Sequence, residues 1–118
     1  MRRDMNLIRT LLLQVEGEEP KPEFSQYSED QQVYHSALLI EAGLVDGTII
    51  PNSEGYPAGT SMIRLSWAGH EFLDAARDED SWQRATSSVA KAGGAFTISI
   101  LSEILTQYIK QKLGFPNG

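Results

Sequence analysis

With 118 residues and no cysteine, the chain has the size of one domain, without disulfides and without thiolates for a metal site. Its 41% hydrophobic and 22% charged content is that of an ordinary globular protein, and 10 basic against 16 acidic residues leave a net charge of −6. The N-terminal run Met1-Arg2-Arg3-Asp4-Met5-Asn6 has no apolar signal core, and the longest apolar stretch, around residues 95–109, is interrupted by Thr97, Ser99, Ser102 and Glu103. Neither secretion nor a membrane span is expected, and the expected location is the cytoplasm.

The charge is unevenly placed. Residues 1–16 sum to +1 and residues 17–47 to −6, where Lys21 is the only basic group. Residues 48–65 are neutral, 66–86 carry −3 and 87–118 carry +2. Non-specific nucleic-acid affinity comes largely from cations that displace condensed counterions. The default expectation is therefore a chain that binds no nucleic acid.

In chain order, Asp4 caps a first helix ending near Glu16, with Leu7, Ile8, Leu11, Leu12 and Val15 as one apolar stripe. Gly17, Pro20 and Pro22 end it, and residues 23–26 read as a short edge strand. Ser28 and Gln31 form a capping box for a second helix running to Ala42, closed by Gly43 with Leu44 folding back. In that helix Val33, Leu38 and Leu39 are the core positions, while Tyr34, Ala37, Ile40 and Glu41 fall on the outer face. Thr48-Ile49-Ile50 and Met62-Ile63-Arg64-Leu65 read as two strands joined by a long loop over residues 51–61. Ser66 caps a third helix to about Arg77, with Trp67, Phe72, Leu73 and Ala76 buried. Asp78-Glu79-Asp80 opens a fourth helix toward Lys91, where acidic residues suit a helix N-terminus. Gly93-Gly94 breaks the pattern, and a last helix runs from about Thr97 to Leu113.

Helix, gap, helix ending in Glu41-Ala42-Gly43-Leu44-Val45, two strands, and a helix opening with Leu65-Ser66-Trp67-Ala68-Gly69-His70-Glu71-Phe72-Leu73 together resemble a winged helix-turn-helix domain. The fold expected is α+β: a winged helix-turn-helix-like domain over residues 1–86, followed by a C-terminal helical segment over residues 87–118. More narrowly, Met1-Arg2-Arg3-Asp4-Met5-Asn6-Leu7-Ile8-Arg9, Tyr34-His35, Leu38-Leu39-Ile40-Glu41-Ala42-Gly43-Leu44 and the run from Arg64 to Asp78 resemble a domain-of-unknown-function family, number twenty-five thirteen. Lys91-Ala92-Gly93-Gly94 extends the likeness into the tail. The resemblance implies a bacterial or prophage origin, and the family has no established activity to hand on.

A DNA-reading helix would offer Gln31, Gln32, Tyr34 and His35 to base edges, with Arg2, Arg3, Arg9 and Arg64 as a basic patch and the loop around Tyr56 as a second contact. The second helix itself has no lysine or arginine, so the phosphate contacts that fix register are missing. Catalysis is not expected. There is no nucleophile elbow and no phosphate loop, and His70-Glu71-Phe72-Leu73-Asp74 has Asp74 where a zincin has its second histidine. No cofactor and no metal are expected.

The C-terminal helix carries Ile98, Leu101, Leu105 and Tyr108 on one stripe, widened by Ile100, Ile104 and Ile109 and continued by Leu113 and Phe115. Such a stripe either completes the core or pairs with its symmetry mate, and a homodimer through this helix is expected. The preferred reading is a non-catalytic protein-interaction module of phage or mobile-element origin that modulates a host regulatory or defence protein. Its partner-binding candidates are Glu29, Asp30, Tyr34, Glu41, Leu101, Leu105 and Tyr108. The alternative is a dimeric DNA-binding transcriptional regulator using Gln31, Gln32, Tyr34, His35, Arg2, Arg3 and Arg64.

Overall fold

The first apolar stripe becomes a buried helix face. A computed structural model describes residues 1–19, 22–93 and 97–114. Helix α1 spans Met5–Val15, and the carboxylate of extended Asp4 accepts from the amides of Asn6 and Leu7 at 3.0 and 3.2 Å. Leu7, Ile8, Leu11 and Leu12 are buried, each such side chain contributing about 1.5–3 kcal/mol by leaving water.

Residues 23–26 are not a strand. Pro22–Gln26 forms a 3-10 helix, in which Ser25 Oγ donates to the Pro22 carbonyl and the Tyr27 amide to the Phe24 carbonyl. The fixed φ of Pro22 suits the first position of a helical turn, and that local closure wins over extended pairing. Pro20 and Lys21 of the preceding linker lie outside the described residues.

Helix α2, Glu29–Glu41, has both of its expected ends. Ser28 Oγ accepts from the Gln31 amide, and Gln31 Oε1 accepts in return from the Ser28 amide. At the other end Gly43 sits at φ +75, and the amides of Gly43 and Leu44 donate to the carbonyls of Ile40 and Leu39, a complete Schellman closure.

Strands β1, Val45–Pro51, and β2, Pro57–Leu65, pair antiparallel as a two-stranded sheet. Both run longer than the sequence pattern suggests, so the expected loop over residues 51–61 shrinks to a turn over residues 52–56. Asn52 closes it: its amide donates to the Tyr56 carbonyl, and its Oδ1 accepts from the amides of Glu54 and Tyr56. Pro57 is tolerated because it begins an edge strand, where no ladder donor is required.

Helix α3 spans Trp67–Ala76, with Ser66 Oγ accepting from the Gly69 amide at 3.1 Å and donating to the Gly43 carbonyl. The expectation that Trp67 is buried fails, for it is 80% exposed. Gly69 marks the face of α3 that packs, since a Cβ there would lie 1.9 Å from the Leu44 carbonyl oxygen. Two residues earlier is about 200° around a helix, which turns Trp67 to solvent. Phe72, Leu73 and Ala76, at helical spacing from Gly69, are buried as expected.

Helix α4, Glu79–Ala92, is capped by Asp78, which accepts from the Ser81 amide and hydroxyl at 2.9 and 2.7 Å. Helix α5, Ile98–Lys112, is capped by Thr97 and packs against α4. Trp82, Ala85 and Val89 from α4 and Leu101 and Leu105 from α5 are buried, and the Trp82 ring meets Phe72 edge-on with centroids 6.4 Å apart. Of the expected tail features, Gly94 and Phe115 lie outside the described residues. Contacts divide the chain into two units, Met1–His70 and Glu71–Gly118, with the division inside α3. Position 86, where the sequence pattern places a boundary, lies within α4. Among the described residues, no helix is long and apolar enough to cross a membrane.

Candidate functional site

Helix α2 carries most of the residues singled out from sequence, and its polar side chains are largely committed inside the fold. Gln31 serves the capping box, and Gln32 Nε2 donates to the Tyr27 carbonyl at 3.2 Å. His35 is 1% exposed, which corrects the expectation that it offers its ring to base edges. Its Nε2 accepts from the Asp4 amide at 2.8 Å, so its Nδ1, 2.7 Å from the Gln31 carbonyl, carries the proton and donates. Ser36 and Ala37 are buried as well, Ala37 against its placement on the outer face.

Asp4 therefore joins three elements. Its side chain caps α1, its amide is held by His35 of α2, and its carboxylate accepts from the Tyr27 hydroxyl. Burial first, and then the Asp4 charge and this hydrogen bond, push the Tyr27 phenol above its ordinary pKa. Asp4 and His35, 31 residues apart in sequence, are the two halves of this latch.

The exposed part of α2 is acidic and aromatic. Glu29 and Asp30 lie exposed in its first turn, Tyr34 is half-buried with its ring edge-on to His35 at 5.5 Å, and Glu41 is exposed at the last turn. Between α2 and the hairpin turn lies a groove of about 430 Å³, lined by Met1, Asp30, Val33, Tyr34, Asn52, Tyr56, Pro57 and Ala58. Two tyrosines, one carboxylate and short apolar side chains face one space. Among the described residues no intrachain cation pairs with Asp30. Sequence reasoning named Asp30, Tyr34 and Tyr56 but not their meeting, and it assigned Val33 to the core. The spacing of Asn52 and Gly55 was the available signal, because a tight turn there brings Tyr56 and Pro57 back toward α2.

The arginines do not form one free patch. Arg9 is 8% exposed, Arg64 Nε binds Asp46 Oδ2 at 2.9 Å, and Arg2 and Arg3 are exposed. His70 Nδ1 lies 3.6 Å from Glu16 Oε1. No group of three or more histidine, aspartate or glutamate side chains that could hold a metal occurs among the described residues.

In Glu71–Gly118, Leu101 and Leu105 are fully buried, so they are unavailable to the partner contact expected of them. They are buried where α5 packs on α4, beside Trp82, Ala85 and Val89, whereas Ile100 and Leu113 of the stripe stay exposed. Tyr108 lines a shallower depression of about 310 Å³ with Gln83, Arg84, Ser87, Ser88 and Lys91, its hydroxyl 3.2 Å from Ser88 Oγ. Arg84 there is engaged by Asp80 at 3.2 Å. Asp78 binds Lys112 and Ser81, and these hydrogen bonds, Lys112 first, hold its carboxyl well below the usual carboxylate range.

The class so defined is a small α+β protein with, among the described residues, five α-helices, a two-stranded antiparallel sheet, and an acidic, aromatic groove beside its second helix. The chain belongs to the family described as hypothetical protein, DUF2513, whose model matches residues 2–95. It is also similar to an uncharacterized protein of Haemophilus influenzae, at 26% identity over 96% of this chain and 99% of that protein. No solved structure matches it.

Proposed function

We propose that the chain is a non-catalytic protein-interaction module on a winged-helix scaffold, of phage or mobile-element origin, directed at a regulatory or defence protein of the host. The observation that carries this reading is the fate of α2. Gln31, Gln32 and His35, the side chains that would read bases, are spent on caps and packing. What α2 leaves exposed is Glu29, Asp30 and Glu41, which repel phosphate. A scaffold does not dictate its use, and here the surface chemistry favours a protein partner over a nucleic acid.

The test is anisotropy of a labelled random-sequence DNA duplex titrated with the protein over a range of salt. Negligible binding at low salt is expected. Affinity that falls steeply with added salt, at a slope of about −0.9 per phosphate neutralised, would require a cationic face and overturn the proposal.

A further inference from the structure

The groove beside α2 has the composition of a cation-binding slot. Tyr34 and Tyr56 supply aromatic rings, Val33, Pro57 and Ala58 supply apolar wall, and Asp30 supplies a carboxylate. Other carboxylates of the chain are matched from within, Asp46 by Arg64, Asp74 by Arg77, Asp78 by Lys112 and Asp80 by Arg84. Asp30 has no such partner among the described residues, and Glu29 beside it and Glu54 in the adjoining turn add negative charge without a cation. The volume of about 430 Å³ falls within the range of sites that enclose ligand groups.

We infer that this groove docks an arginine side chain carried on a basic segment of the partner protein, an inference that rests on the interaction-module reading. A guanidinium stacks on tyrosine faces through its flat surface while its edge donates to a carboxylate, so one group satisfies both features of the slot. The methylenes of the arginine stem cover the apolar wall. The local excess of carboxylates selects a basic segment over an acidic one and speeds its approach. Lysine satisfies Asp30 as a point charge but lacks the planar stack, and ranks below arginine.

The probe is the acetylated and amidated peptide Gly-Leu-Arg-Arg-Leu-Gly, added at millimolar concentration to isotope-labelled protein at low salt and followed by amide and tyrosine-ring chemical shifts. A control peptide has both arginines replaced by glutamine, and a random-sequence DNA duplex forms a third arm. Shifts centred on Asp30, Tyr34 and Tyr56 are expected with the arginine peptide. Binding weakens at least about tenfold in the glutamine peptide and in Asp30→Asn, the loss of one charge-assisted hydrogen bond. Tyr56→Ala, at an exposed turn position, weakens it comparably while leaving the remaining spectrum dispersed. Equal binding of the two peptides, insensitivity to Asp30→Asn and Tyr56→Ala, or silence with the arginine peptide overturns the arginine slot. If the duplex is silent too, the interaction-module reading survives that result. Duplex binding that shifts α2 and collapses with salt overturns both.

Discussion

Within Met1–His70 the specific contacts are polar and join distant parts of the chain, whereas within Glu71–Gly118 buried apolar faces pass between neighbouring helices. The first unit is latched by His35 on the amide of Asp4, 31 residues away, and by Ser66 on the Gly43 carbonyl, 23 residues away. The second is filled by Trp82, Val89, Leu101 and Leu105, with a surface tie between Lys112 and Asp78. Charge follows the same division. The first unit has ten acidic against five basic residues, the second six against five. Near-balance lets Asp74, Asp78 and Asp80 pair within their own unit, while the excess in the first unit leaves Asp30 open beside two tyrosines. Under the proposed reading, surplus charge with nearby concavity marks the first unit as the one that meets a partner.

The largest blow to this contrast is a cavity in the second unit. Leu105→Ala should cost about 2–5 kcal/mol, read as a lower midpoint in urea unfolding followed by far-ultraviolet circular dichroism. A cost below about 1 kcal/mol would mean that the α4–α5 face is not a packed core. In the first unit, His35→Ala leaves the part-buried Asp4 amide without its acceptor, a loss of about 1–3 kcal/mol in the same measurement. His35→Gln should recover part of it, and failure of glutamine to do better than alanine would reduce the latch to mere packing. The smallest effect concerns the exposed tie. Asp78 has a lowered folded-state pKa, so its stabilisation is present above the ionisation of a free aspartate, about 3.9, and is lost as pH falls through the folded value. Asp78→Asn should flatten the acid limb of the unfolding curve below about pH 4. Added salt should shrink the wild-type slope, because Lys112 and Asp78 are both solvent-exposed.

Much of the local architecture is written in short sequence intervals. Asp4 and Ser28 are caps at their expected positions, α4 and α5 begin where Asp78-Glu79-Asp80 and Thr97 imply, and Gly43 closes α2 as its neighbours imply. Where tertiary pairing competes with local pattern, local reading fails. The hairpin extends its ladder through residues 57–61 because each added pair satisfies backbone groups, which no composition rule for loops anticipates. The 3-10 turn at Pro22–Gln26 fails the other way, local closure winning over extended pairing, and Trp67 is exposed because it lies off the Gly69 face of α3.

The sequence alone determined the helix ends, the apolar faces and the missing cations of α2, since those depend on residues a few positions apart. Only the tertiary structure decided that Gln31, Gln32 and His35 are spent internally, that Leu101 and Leu105 of α5 are buried within their own unit, and that Asp30, Tyr34 and Tyr56 share one groove. Each of these is a meeting of side chains whose partners are set by how the helices and hairpin pack. Periodicity says which face of a helix is buried, and packing alone says against what.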